Sequence, residues 1–200
     1  MRNKYFRIII GIILAMTLNS CDVDDDDGVN SELPEITSIG SNTFGCKING
    51  QIFLPRKGGL CFDCANTPKL NLTYGYRYGE GHRLSIYTYN DIDGDVSIKI
   101  DMFNGEIPFT TGEYSISEYY IESKDILVHN GITRISKLVS GENINSDFYT
   151  DTEVFGVLKI LEINEDEEFI AGTFEFEARN TGGKIVKVTE GRFDIKYKGF

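Results

Sequence analysis

Apolar and polar residues alternate with a period of two through most of the chain after residue 41. Phe44, Cys46 and Ile48 alternate with Gly45 and Lys47, and the same spacing recurs in later segments. Such alternation is typical of strands with one face against a core, and no segment has the clear spacing of an amphipathic helix. The pattern predicts strands over residues 44–48, 52–54, 70–78, 84–89, 96–103, 154–163, 169–178 and 184–197.

Turn signals separate these predicted strands. Asn49-Gly50 favours a tight hairpin, because both central residues of the preferred turn need positive φ. Residues 90–95 predict a second hairpin. In the last strand the apolar positions switch from even to odd numbers near Glu190-Gly191, which predicts a β-bulge that keeps both sets on the core side.

Two segments are harder to interpret. Residues 154–163 are apolar on both faces, as expected of a central strand. Residues 125–140 fit either period, and their β-branched side chains favour short strands. We therefore expect an all-β, antiparallel β-sandwich or flattened β-barrel of about nine to eleven strands, formed by residues 41–200 as one domain.

The first twenty residues differ from the rest. Basic residues precede an uninterrupted apolar run over residues 8–18, and Leu18-Asn19-Ser20-Cys21 follows. The run is about half the length that a membrane-spanning helix requires. A basic start, a short apolar stretch and a small residue before the cut predict a secretory signal over residues 1–20.

The sequence around Cys21 resembles the lipobox of bacterial lipoproteins. The resemblance implies that Cys21 becomes the mature N-terminus and carries acyl chains such as palmitate, which would hold the protein on a membrane. Plain secretion, with Cys21 as an ordinary thiol, is the alternative.

An acidic run follows Cys21, and residues 21–40 together read as an irregular tether. The run resembles the export signal of Bacteroidota surface lipoproteins and implies an outer-membrane protein facing the exterior. A solvated spacer and, by the rule of enteric bacteria, retention in the inner membrane are the alternatives. The acidic residues of this candidate export signal are Asp22, Asp24, Asp25, Asp26 and Asp27.

Three further stretches resemble a family of Bacteroidota lipoproteins of unknown function. They are NTFGCKINGQIF at residues 42–53, FYTDTEVFGVLKILEI at 148–163 and IAGTFEFEARNTGGKIVKVTEGRFDIKY at 170–197. The resemblance implies an all-β lipoprotein. It supplies no catalytic residues, because the matched positions belong to strands and turns.

Charge excludes one broad class of function. The 31 acidic and 20 basic residues leave a net charge of −11, which disfavours nucleic acid. His82 and His129 stand alone, and the sequence has no Gly-rich phosphate loop. We expect no cofactor and no metal.

The cysteines suggest a disulfide. Cys61 and Cys64 form a C-x-x-C in a Gly- and Pro-flanked segment, which does not fit a redox helix. In an oxidising compartment we expect a link between these two, or from one of them to Cys46. Reduced thiols, with Cys46 as a small core residue, and a metal or catalytic role are the alternatives.

Two acidic patterns could carry chemistry. Asp91, Asp93 and Asp95 are spaced like the start of a calcium loop, but the Gly and Glu of an EF-hand are missing and a hairpin turn explains them better. Glu175 and Glu177 share one strand face at the spacing of an inverting glycosidase pair, although surface carboxylates are common there.

Two sets of tyrosines lie on predicted strands and fit either a core or an exposed binding face. They are Tyr74, Tyr76 and Tyr78 in one set, and Tyr87 and Tyr89 in the other.

Our interpretation is a lipid-anchored, non-enzymatic binding or interaction module with an extracellular glycan or protein as partner. A secreted hydrolase using acidic residues and a structural subunit of an envelope assembly are the alternatives.

Overall fold

Strands supply the regular structure wherever the computed structural model describes the chain, and none of these residues is helical. The described residues are 32–56, 69–78, 81–92, 95–121, 126–139 and 142–199. They contain no helix with the length and apolar character that a membrane crossing requires. The strands within these ranges are β1 (Thr43–Ile48), β2 (Gln51–Phe53), β3 (Leu70–Arg77), β4 (Gly81–Asn90), β5 (Val96–Phe103), β6 (Gly112–Ile116), β7 (Glu118–Ile121), β8 (Ile126–His129), β9 (Gly131–Val139), β10 (Glu142–Tyr149), β11 (Gly156–Asn164), β12 (Phe169–Arg179) and β13 (Ile185–Lys196).

Eleven of these strands form one antiparallel sheet. Its main path runs β2-β1-β13-β12-β10-β9-β5-β4-β3. Strand β10 pairs with β12 at Arg179, β11 pairs with residues 169–176 of β12, and β6 pairs with β11. Strands β7 and β8 form a separate hairpin. The N- and C-terminal strands therefore lie side by side, with β1 against β13.

The sheet curls until β3 meets the chain that follows β13. The Tyr74 amide donates to the Lys198 carbonyl at 3.1 Å, and the Lys198 amide donates to the Leu72 carbonyl at 3.0 Å. A further bridge joins Arg56, beyond β2, to Asn90 at the end of β4. The expected all-β antiparallel fold is confirmed, and its form is a half-barrel made by one continuous sheet.

Both predicted hairpins are confirmed. Asn49 and Gly50 have φ values of 51° and 83°, which is the geometry that the β1–β2 turn needs. Strands β4 and β5 pair from Asn90 opposite Val96 onward. The ambiguous segment forms strands β8 and β9, as its β-branched residues indicate.

The bulge in β13 is also where the parity change predicts it. Phe174 lies opposite Gly191 and Phe176 opposite Val188, so β13 has one extra residue between these pairs. The residue with positive φ is Glu190, at 52°, rather than the neighbouring glycine. The extra residue keeps two sets of side chains in the core: Val186 and Val188 before it, and Phe193 and Ile195 after it.

The sequence prediction differs from the structure in two ways. There are thirteen strands within the described ranges rather than nine to eleven, because β6, β7 and β10 were not predicted. Strand β11 is paired on both sides, as expected of a central strand. Its two faces are unequal, however: Leu158 and Ile160 are buried, whereas Leu161 is exposed.

The last part of the predicted tether packs on the domain, which begins at Glu32 rather than at residue 41. The buried Asp194 carboxylate, on β13, accepts hydrogen bonds from the Ile39 and Gly40 amides at 2.9 and 2.8 Å. Thr37 and Ser41 donate their hydroxyls to the same carboxylate at 2.7 and 3.1 Å. Burial alone would raise the pKa of Asp194, but these bonds together hold the pKa below its ordinary value.

Candidate functional site

The outer side of β4, β5, β9 and β10 carries aromatic and charged side chains in register. Ile86, Ile98 and Phe148 point into the core, so the residues next to them in each strand point outward. We call Tyr87, Tyr89, Arg134, Asp147 and Tyr149 the tyrosine–arginine face.

Strand pairing sets these residues in two rows across the sheet. In the first row Tyr89 is opposite Ser97, Ser97 opposite Arg134, and Arg134 opposite Asp147. Directly opposite side chains on neighbouring strands are about 5 Å apart at Cβ, close enough to interact. A second row aligns four residues in the same way: Tyr87, Lys99, Ile132 and Tyr149.

Arg134 and Asp147 form a two-bond ion pair between β9 and β10, at one side of the face. The Arg134 Nε donates to Asp147 Oδ1 at 2.6 Å, and Nη2 donates to Oδ2 at 3.0 Å. The Tyr149 hydroxyl donates to Oδ2 at 3.2 Å. Such a forked pair fixes the orientation of both side chains as well as their separation.

The electrostatics of this cluster keep its members in their ordinary charge states. The hydrogen bond from Arg134 lowers the pKa of Asp147, against the opposing effect of partial burial. Partial burial and the nearby Asp147 carboxylate raise the pKa of Tyr149. Near neutral pH the face therefore presents a paired cation and anion together with a neutral phenol.

A shallow groove of about 200 Å³ runs along one side of the face. The rings of Tyr87 and Tyr89 are 6.2 Å apart at their centroids and tilted by 38°. Tyr87 is 37% exposed. The groove is lined by Tyr87, Tyr89, Asn90, Asp91, Asp95, Val96, Ser97 and Arg134.

A second ionic cluster borders the face. The nearly buried Asp101 accepts bonds from Arg83 Nη2 at 2.7 and 2.9 Å and from Lys99 Nζ at 2.9 Å. Lys99 belongs to the second row of the face. Its charge is therefore paired with a carboxylate of the same strand that Arg83 also shares.

The other tyrosine set is divided by the structure. Tyr74 is in the core, with its ring 5.1 Å from that of Tyr197. Tyr76 and Tyr78 lie at the end of β3 and are exposed, Tyr78 by 96%. The Tyr76 hydroxyl bonds to Glu106, and its ring packs edge-on to His82 at 5.2 Å.

Glu175 and Glu177 lie on the outer side of β12, in a wide groove of about 420 Å³ that also contacts Phe155. Glu177 Oε1 is 2.6 Å from Lys187 Nζ on the adjacent strand. Phe155 is 57% exposed. The two carboxylates thus share a face as expected, and one of them is engaged by a cross-strand lysine.

Cys46 is a free thiol and fully buried. Burial raises its pKa far above the ordinary value, because the thiolate would lose its hydration. The thiol packs as a small core residue, which is one of the expected alternatives, and it forms no disulfide. Cys61 and Cys64 lie outside the described residues, so a link between them stays a prediction.

Several other sequence predictions also fall outside the described part. The structure does not describe Cys21, the acidic run at Asp22, Asp24, Asp25, Asp26 and Asp27, or Asp93 of the second hairpin. The backbone of His129 is described in β8, but its side chain is not. Within the described ranges no three His, Cys, Asp or Glu side chains are grouped as a metal site would require.

Sequence reasoning did not find Arg134, Asp147, Tyr149 or Asp194. The alternation of β10 is weak, and the Arg134–Asp147 pair is visible only once β9 and β10 are known to be neighbours. For Asp194 a signal does exist: a lone acidic residue between Phe193 and Ile195 in a core strand needs local hydrogen-bond donors.

No protein-family model, curated protein or solved structure matches the chain.

Proposed function

We propose that this chain is a lipoprotein of the outer membrane, anchored through Cys21 and facing the exterior, which acts as a non-enzymatic binding module. In this proposal the tyrosine–arginine face is the contact surface for an extracellular partner. The anchor rests on the sequence of the first twenty-seven residues, and the binding role rests on the face.

The observation that carries the binding role is the alignment of Tyr87, Tyr89 and the Arg134–Asp147 pair across adjacent strands. Tyrosine and arginine are, with tryptophan, the residues enriched at the positions that contribute most binding energy. Here these residues lie on strands whose backbones are paired on both sides, so binding would cost little conformational entropy.

Of the two grooves described above, the one beside the tyrosine–arginine face has the chemistry that suits recognition. A binding surface needs a few oriented polar groups beside apolar area. The fork of Arg134 supplies donors, the carboxylate of Asp147 supplies acceptors, and the ring of Tyr87 supplies apolar area.

The experiment is an array of extracellular glycans and proteins probed with the full chain in detergent. We expect at least one partner whose signal falls about ten-fold or more in Tyr87→Ala and in Arg134→Ala, as for hot-spot residues. Tyr78→Ala is the matched control, because Tyr78 is an exposed tyrosine of β3's end and lies outside the face. If no signal depends on Tyr87 or Arg134, the proposed function is wrong.

A further inference from the structure

We infer that the ligand of the tyrosine–arginine face is an uncharged glycan, with one sugar ring in the groove beside Tyr87 and its hydroxyls bonded to the Arg134–Asp147 pair. This inference rests on the proposed function and adds the chemical class of the ligand. Three properties of the face point to this class of ligand: its hydrogen-bonding capacity, its charge and the size of its groove.

Hydrogen-bonding capacity favours a ligand rich in hydroxyls. Arg134 has five N–H donors, and its bonds to Asp147 use two of them. The Arg134 side chain is 55% exposed, so the remaining donors face solvent. A sugar with neighbouring hydroxyls can donate one proton to the carboxylate and accept another from the guanidinium, and both protein groups keep their mutual bonds.

The aromatic part of the groove fits the apolar side of a sugar ring. One face of a pyranose presents C–H groups, which pack on an aromatic ring while the hydroxyls around the edge stay free. Tyr87 offers a partly exposed ring on β4, and Arg134, on β9 with β5 between them, lines the same groove. A sugar ring packed on Tyr87 in this groove therefore has the Arg134 guanidinium as a neighbouring hydrogen-bond donor.

Charge argues against an ionic ligand. Arg134 is matched by Asp147, and Lys99 and Arg83 share Asp101. An anionic ligand would also meet a chain with a net charge of −11. The groove itself is lined by side chains of both signs, the carboxylates of Asp91 and Asp95 and the guanidinium of Arg134, so an ion of either sign meets a like charge there. A neutral ligand with hydrogen-bond donors and acceptors can bond to both kinds of group without that repulsion.

The volume of the groove limits how much of the ligand it can hold. The groove of about 200 Å³ is smaller than the pockets of about 300–1,000 Å³ that enclose drug-sized molecules. It accommodates a single ring, and the open sheet surface beyond it leaves room for the rest of a chain. The ligand is accordingly a unit of an oligosaccharide or polysaccharide.

The test is calorimetric titration of the full chain in detergent with neutral hexasaccharides of glucose, mannose and xylose. Oligogalacturonate, a chitosan oligomer and a lysine-rich peptide are the charged probes. We expect a neutral probe to bind, with an affinity that changes less than about two-fold between about 0.05 and 0.5 M NaCl, since screening acts only on charges.

The variants identify the site. Tyr87→Ala should weaken neutral-glycan binding by about ten-fold or more, and Tyr87→Trp should retain or strengthen it, which also shows that a substituted face still folds. Tyr78→Ala should leave it unchanged.

The outcomes separate this inference from the proposed function. If only a charged probe or an arrayed protein binds in a Tyr87-dependent way, the glycan inference is wrong and the binding role stands. Neutral-glycan binding that persists in Tyr87→Ala overturns the assigned site, and absence of neutral binding overturns the ligand class. If nothing depends on Tyr87, both are wrong.

Discussion

Asp194 is a buried carboxylate that ties the chain before β1 to the last strand. Its two oxygens accept four bonds from residues 37–41. A buried charge is stable only when such donors replace its hydration. At the scale of single residues, Asp194 therefore holds residues 37–41 against the last strand.

Asp194→Asn should lower the free energy of unfolding by about 1–3 kcal/mol at neutral pH. The N–H donors of the Asn side chain would face the N–H and O–H donors of residues 37–41, whose hydrogen bonds the carboxylate now accepts. The pKa of Asp194 is lowered in the folded state, so its stabilising effect is present above the ordinary value of about 3.9 and is lost as pH falls through the lowered value. Urea denaturation at several pH values should show the difference between wild type and variant shrinking in acid.

The control for Asp194 is Glu113→Gln, since Glu113 is 65% exposed and forms only a surface ion pair. We expect a change below about 0.5 kcal/mol there. Equal stability of wild type and Asp194→Asn at neutral pH would contradict the role of the carboxylate.

Gly191 is required by close packing. A Cβ at this position would lie 2.5 Å from the Phe174 carbonyl oxygen and 2.5 Å from its ring carbon Cε2. Because the carbonyl belongs to the backbone of the neighbouring strand, it cannot move aside without disturbing the β12–β13 pairing.

Gly191→Ala should destabilise the domain by about 1–3 kcal/mol, the usual cost of forcing extra volume into a packed site. Thermal denaturation of the variant should be compared with that of Gly182→Ala. The Cβ of that control would meet only an Asn180 side-chain oxygen at 3.4 Å, an ordinary contact. If both variants have the same melting temperature, steric crowding does not explain the glycine at position 191.

At the scale of elements, the bulge of β13 keeps the apolar side chains of both halves of the strand in the core. Val186 and Val188 precede it, Phe193 and Ile195 follow it, and all four are buried. A strand without the extra residue would turn one pair outward, because successive side chains alternate between faces.

Deletion of Glu190 should therefore abolish cooperative unfolding or lower the melting temperature more than any single substitution proposed here. The measurement is circular dichroism during heating. A serine inserted after Asp166, in the turn between β11 and β12, is the control and should be tolerated, since exposed turns accept length changes. A stable, cooperatively unfolding deletion variant would contradict the register argument.

At the scale of the whole molecule, one sheet encloses one core. The curl places β3 against the end of β13, while β1 and β13 bring the two ends of the domain together. The anchor proposed at Cys21 precedes the domain by a short stretch of chain. A pulling force from the membrane would therefore reach the domain through residues 37–41, the segment that Asp194 holds.

In a Bacteroidota host, Cys21→Ala should lose incorporation of labelled palmitate and move from the membrane fraction to the soluble fraction. Acyl chains bind a bilayer through each buried methylene, and more than one chain makes the attachment stable. Cys61→Ser is the control and should keep both label and location. Unchanged labelling of Cys21→Ala would refute the anchor.

Sequence alone was enough for the local features of this protein. Period-two alternation located most strands, Asn49-Gly50 identified a hairpin, and the parity change near Glu190 identified the bulge. Each of these depends on residues close together in the chain, whose side-chain direction and turn geometry follow from steric rules.

Tertiary structure alone decided which strands adjoin, and with it the candidate site. Tyr87, Arg134 and Asp147 come from three separate strands, and only the order β10-β9-β5-β4 sets them on one face. The same holds for Asp194 and its donors, which are far apart in the chain. Pairing between distant strands is selected by the packing of the complete core, and no local pattern carries that information.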